Sequence, residues 1–163
     1  MKYYLHEDGI VADKIAPLIE FIHSNEGALT IGINSMGGES AAARFLLYIL
    51  NENKDRITLV ATTGIFSAAF ELFYRFEGTK KMCKNCRGMF HYASMEVRIA
   101  ANMKPDGAYE KSHWGLLKED RSENEAFAKT FMTSQEFNSM KQNNDIYFQF
   151  PRMKEIFSGV EIV

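Results

Sequence analysis

The chain has 163 residues, a formal net charge of −2 and 46% apolar residues, which suggests one domain with room for a sizeable core. The near-neutral balance gives no electrostatic footprint for nucleic acid or a membrane surface. No apolar run is long enough to span a bilayer, and the start, Met1 to Asp8, lacks the apolar stretch of a signal peptide, so the sequence reads as that of a cytoplasmic protein.

Val11, Ile15, Leu18, Ile19 and Ile22 recur at helical spacing and predict an amphipathic helix near 11–24, ended by Asn25-Glu26-Gly27. Leu29 to Ile33 reads as a buried strand, and it runs into Ile33-Asn34-Ser35-Met36-Gly37-Gly38. Two adjacent glycines let the backbone turn tightly and leave N–H groups uncovered by side chains. A strand, a glycine turn and a helix start together form a nest for an anion or, in an enzyme, for a developing oxyanion. The same residues also read as an ordinary strand-to-helix turn. Ala42, Phe45, Leu46, Ile49 and Leu50 mark a second helix, with Ala41-Ala42-Ala43 leaving room for close packing. Ile57 to Ala61 is a second strand. Phe66, Ala69, Phe70, Phe73 and Phe76 then follow at helical spacing, as the core-facing stripe of a third helix.

Lys80, Lys81, Lys84 and Arg87 form a basic cluster that reads as a solvated loop. Within it lie Cys83 and Cys86, a lone C-x-x-C. A zinc site needs four ligands and there is no second cysteine pair; His91 and His113 could in principle complete one, but the ligand count speaks against it. A redox pair belongs at a helix start after a strand, not in a Lys-rich turn. The two cysteines therefore read as loop thiols, and no metal is expected. Met89-Phe90-His91-Tyr92 is a short strand candidate. Residues near 94–129 are more polar, with helical stretches broken around Lys104-Pro105-Asp106-Gly107. Thr133 and Glu136 make a capping-box pattern that opens a helix through about Lys141. Pro151 suits the first turn of another short helix, which Gly159 stops before a final strand in Val160 to Val163. The alternation of β and α signals argues for an α/β domain.

Three blocks stand in a recognisable order. Ile33-Asn34-Ser35-Met36-Gly37-Gly38 resembles the I-N-S-P-G-G block of the proteolytic subunit of Clp protease (ClpP). Thr63-Gly64-Ile65-Phe66-Ser67-Ala68-Ala69 resembles that family's G-x-A-A-S segment, and Met89-Phe90-His91 its M-I-H segment. Farther on, Asn144-Asp145 with Pro151, Glu155 and Gly159 is similar to the aspartate block. The resemblance covers nearly the whole chain in order and spacing. It implies a ClpP/crotonase-like α/β spiral of ββα units as a single domain over 1–163, with a handle-like helical segment at about 94–129. There His113-Trp114-Gly115 would interrupt a long helix, and Trp114 reads equally as an interface anchor or a core residue.

The implied activity is serine peptidase chemistry on polypeptides without a cofactor. A hydroxyl nucleophile needs an imidazole to take its proton, and the imidazole needs a carboxylate to fix its tautomer. By resemblance His91 is the base, Asp145 its carboxylate, and the N–H groups of Gly38 and Ala69 the oxyanion donors. Read alone, His91 is an ordinary core or surface histidine and Asp145 a turn residue. Counting without a gap from Gly64, the nucleophile position falls on Ala68, which has no hydroxyl. Three explanations stay open: an inactivated variant of a serine enzyme, a natural pseudoprotease kept for assembly, or Ser67 serving as nucleophile after a one-residue shift of the helix start. A crotonase-type acyl-CoA enzyme, which uses paired backbone N–H groups on a thioester enolate, is a further alternative, although no glutamate is evidently paired with the nest. The resemblance also implies a homo-oligomeric ring. About ten residues precede Val11, where the family places its pore loops, so an unfoldase partner is the least supported part of the expectation. Met36 replaces the proline of the glycine block, and such divergence resembles Clp-like proteases of phages or mobile elements.

Overall fold

Among the described residues seven strands, β1 (Lys2–Leu5), β2 (Leu29–Ser35), β3 (Ile57–Phe66), β4 (Thr79–Met82), β5 (Arg87–Phe90), β6 (Ile146–Phe148) and β7 (Glu161–Ile162), make one sheet of order β1-β2-β3-β4-β7, with β5 beside β3 and β6 beside β5. The structure is a computed structural model that describes residues 1–5, 9–92, 118–119 and 121–163. The expectations for Lys104 to Gly107, for His113 and Trp114 and for most of the 94–129 segment lie outside the described residues.

Strand β1 (Lys2–Leu5) is followed by α1 (Ala12–His23), β2 (Leu29–Ser35), α2 (Ser40–Glu52), β3 (Ile57–Phe66) and α3 (Ala68–Arg75). Each of β1, β2 and β3 runs parallel to the next, a pairing that requires a crossover element between strands. Helices α1, α2 and α3 are those crossovers, and they pack side by side, α1 on α2 and α2 on α3. Leu29, Ile31 and Ile33 of β2 and Ile57, Leu59 and Ala61 of β3 are buried, as parallel strands under helices must be.

Strand β3 is longer than the apolar run Ile57 to Ala61 predicts, because it changes partner along its length. Thr58 to Ala61 pair with β4 (Thr79–Met82), and Gly64 to Phe66 pair with β5 (Arg87–Phe90). Thr62 and Thr63 carry the chain between the two partners and, with Gly64, hide the continuation from a hydrophobicity pattern. Strand β4 corrects the reading of the lysine cluster as a loop. Lys80 and Lys81 are strand residues, the former donating from Nζ to the Tyr74 carbonyl (3.0 Å) and the latter paired with Glu161 of β7 (Glu161–Ile162) at 2.8 Å. Burial pushes the Lys80 pKa below its ordinary value. Lysine has a weak strand preference, and ladder pairing on both sides overrides it.

Two compact units make up the chain, Met1–Phe90 with Tyr147–Val163, and His91–Ile146. The core of the first is aromatic. Phe70 and Phe73 of α3 are fully buried, as the stripe predicts, and so is Phe76, which caps the helix with an extended backbone, while Phe66 belongs to β3. The Phe70 ring lies 5.4 Å from Phe148 of β6 (Ile146–Phe148) and 5.5 Å from Phe157, and Phe157 meets Phe73 edge-on at 5.2 Å. Phe70→Ala should therefore cost about 3–5 kcal/mol, read as a lowered midpoint in urea at unchanged slope. In the second unit, residues 121–128 are helical and α4 (Ser134–Lys141) carries the predicted capping box. Thr133 Oγ1 accepts the Glu136 N–H at 3.2 Å, and the Glu136 carboxylate accepts the Thr133 N–H at 2.7 Å. The last helix, α5 (Phe150–Ile156), has Pro151 in its first turn, as expected.

Candidate functional site

Strand β2 ends at Ser35, whose buried hydroxyl accepts the N–H of Gly37 at 3.2 Å. Gly37 and Gly38 then take φ of +97° and +149°, values that a side chain disfavours. Space forbids one as well. A Cβ on Gly37 would lie 2.6 Å from the Phe66 carbonyl oxygen and 2.8 Å from Ser67 Cβ, and one on Gly38 would lie 2.5 Å from the Ile10 carbonyl oxygen. The turn is fastened by Ile10, which donates to the Gly37 carbonyl at 2.6 Å and accepts from the Glu39 N–H at 2.9 Å. Among the described residues, no acceptor takes the Gly38 N–H.

Ser67 closes β3 and opens α3. Its φ of 52° and ψ of −124° lie outside the regions that a serine adopts without strain. Among the described residues, backbone hydrogen bonds hold it there: its N–H donates to the Met89 carbonyl of β5 at 2.8 Å, and its own carbonyl accepts from Phe70 (3.0 Å) and Glu71 (3.2 Å). A serine on a strained strand-to-helix turn is the geometry that projects a nucleophilic hydroxyl away from the sheet. Ala68 is the first residue of α3, and with Ser40, Ala43 and Arg44 of α2 it lines a narrow groove between the two helices. Its N–H and that of Ala69 have no intrahelical acceptor and none elsewhere among the described residues. Gly38, Ala68 and Ala69 thus offer unpaired N–H donors around the contact of Gly37 with Ser67, which is the composition of an anion nest.

The second unit holds the other two expected residues. His91 Nδ1 lies 3.1 Å from Asp145 Oδ1, with both side chains partly exposed. A carboxylate at Nδ1 accepts a hydrogen bond from that nitrogen, keeps the proton there and leaves the Nε2 lone pair to act as acceptor. The neighbouring Tyr92 hydroxyl donates to Glu125 at 2.8 Å, and the Arg121 guanidinium lies over the Tyr92 ring at 4.6 Å and 3.3 Å from Glu125. Burial, then the Glu125 carboxylate, hold the Tyr92 phenol above its ordinary pKa, while the hydrogen bond from Tyr92 holds the Glu125 carboxyl below its own. Sequence reasoning missed this cluster, since no local pattern links Tyr92 to a glutamate 33 residues away.

Cys83 and Cys86 are free thiols on the turn between β4 and β5, but Cys86 is fully buried, so only Cys83 fits the description of a loop thiol. Burial pushes the Cys86 thiol up to about 12. Iodoacetamide near pH 8 should therefore alkylate Cys83 about 100-fold or more faster than Cys86, measured by peptide mapping. Among the described residues no cluster of three or more His, Cys, Asp or Glu could hold a metal ion, and no helix is long and apolar enough to cross a membrane.

No protein-family model matches the chain, and no curated protein is significantly similar to it in sequence. Among solved structures, the chain is similar to the ClpP protease catalytic domain from Plasmodium falciparum, with a TM-score of 0.59 and 22% identity over 99% of this chain and 84% of that one. The fold is therefore ClpP/crotonase-like, an α/β arrangement with a parallel sheet covered by helices.

Proposed function

We propose that this chain is the subunit of a ClpP-like serine endopeptidase and that Ser67 is its nucleophile. One observation carries the reading. Ser67 has a strained backbone at a strand-to-helix turn, packed against Gly37 and beside N–H groups of Gly38 and Ala68 that find no acceptor among the described residues. Taking Ser67 in place of the ungapped Ala68 shifts the second oxyanion donor from Ala69 to Ala68, the residue after the nucleophile. In this reading the Ser67 hydroxyl attacks the scissile carbonyl and passes its proton to Nε2 of His91. Asp145 holds the imidazole in the required tautomer and stabilises the imidazolium. The Gly38 and Ala68 N–H groups take up the negative charge on the tetrahedral oxygen. The leaving amine collects the proton from His91, and water then releases the acyl group from Ser67 by the same steps. The substrate is a polypeptide, the assembly a homo-oligomeric ring, and the chemistry needs no cofactor.

A biotinylated fluorophosphonate tests it. The folded protein should be labelled, with the adduct on the peptide containing Ser67. A protein that resists labelling in its assembled state would instead fit the non-catalytic assembly subunit, which should then co-assemble with an active homologue.

A further inference from the structure

Beside the glycine turn, a cleft of about 700 Å³ opens where β3 changes partner, and its lining includes Asn34, Met36, Gly64, Phe66, Asn85 and Arg87. Arg87 begins β5 in register with Gly64, which places no side chain in the cleft. Asn34 lies against the same glycine, its amide oxygen accepting the Gly64 N–H at 3.1 Å. That bond fixes the orientation of the amide and leaves its NH2 group as the part that can donate to a ligand. The Arg87 guanidinium is exposed and makes no ion pair or hydrogen bond among the described residues. Among the described residues no aspartate or glutamate lines the cleft. The one charge among its described lining residues is that of Arg87, supplemented by amide donors, the combination that receives a carboxylate through a forked pair of hydrogen bonds.

The cleft also adjoins the nest. Met36 precedes Gly37 and Phe66 precedes Ser67 in the chain, and the two pairs meet where Gly37 packs on Ser67. We propose that this cleft binds a carboxylate of the polypeptide substrate, with Arg87 as the selecting cation and Asn34 as a supporting donor. The identity of the cleft as a substrate subsite rests on the peptidase reading above. Its affinity for a carboxylate does not.

Calorimetric titration of short peptides into the Ser67→Ala protein tests the binding without turnover. One peptide carries an internal glutamate and blocked ends. A second carries glutamine with a free C-terminal carboxylate, and a third carries glutamine with both ends blocked. The glutamate or the free-carboxylate peptide should bind about 10-fold more tightly than the fully blocked one, and which of the two does so identifies the source of the group. Arg87→Gln should remove that preference, while Arg87→Lys should keep part of it, with unchanged thermal unfolding showing that both variants fold. Equal affinity for all three peptides, no binding at all, or a preference that survives Arg87→Gln would each overturn the proposal. Carboxylate-selective binding in a protein that resists fluorophosphonate would sink the peptidase reading and leave the binding site standing. Labelling without selectivity would do the reverse.

Discussion

Ser67→Ala should abolish covalent labelling by a fluorophosphonate and lower peptide hydrolysis by roughly 10³-fold or more, with KM little changed, whereas Ala68→Ser should leave both near the wild-type level. Removing a nucleophilic hydroxyl leaves only what substrate binding and the oxyanion donors supply. The two substitutions are adjacent in the chain but differ in what surrounds them. Ser67 sits at the strained turn, with its Cβ against the space above Gly37. Ala68 has begun the helix and lines the α2–α3 groove with Ala43 and Arg44. A hydroxyl at position 68 would enter that groove, and serine is tolerated in a first helical turn at a cost of well under 1 kcal/mol. The opposite pattern, in which Ser67→Ala changes nothing and Ala68→Ser creates labelling, would restore the ungapped alignment and make this chain an inactive form of a serine enzyme.

Asp145→Asn should reduce kcat by about 10²- to 10⁴-fold while leaving KM and the thermal midpoint close to those of the parent. Nδ1 of His91 faces the Asp145 carboxylate at 3.1 Å. A carboxylate can only accept, so the imidazole must carry its proton on Nδ1. An asparagine amide can turn its NH2 toward the ring and favour the other tautomer, in which Nε2 is protonated and cannot act as a base. The pair is partly exposed, so its loss should be small in stability, and the prediction separates chemistry from folding. A change in kcat of less than about threefold in steady-state assays would remove Asp145 from the mechanism.

The sequence and the structure agree best where local physics decides. The Thr133–Glu136 capping box needs only four residues and can be read directly. The α3 stripe is equally plain, because Ala69, Phe70, Phe73 and Phe76 repeat at the helical period and all four are buried. Legibility fails where pairing from afar overrides composition. The Lys80–Lys81 segment looks like a loop until β3 and β7 flank it. His91 and Asp145 stand 54 residues apart, and only the order of the resembling blocks suggested that they belong together. The choice between Ser67 and Ala68 depends on a backbone angle. Counting from Gly64 assumes regular geometry through the turn, and a φ of 52° is a property that residue spacing does not encode.

Ile10 carries no reactive group, yet its peptide occupies the Gly37 carbonyl on one side and the Glu39 amide on the other. The spare hydrogen of Gly38 is thus what remains after both neighbours have been spoken for. In the proposed peptidase reading, the segment around Ile10 is in this sense a scaffold for the chemistry. If Gly38 serves as the proposed oxyanion donor, a change at Ile10 would detune it without touching any atom that meets the substrate.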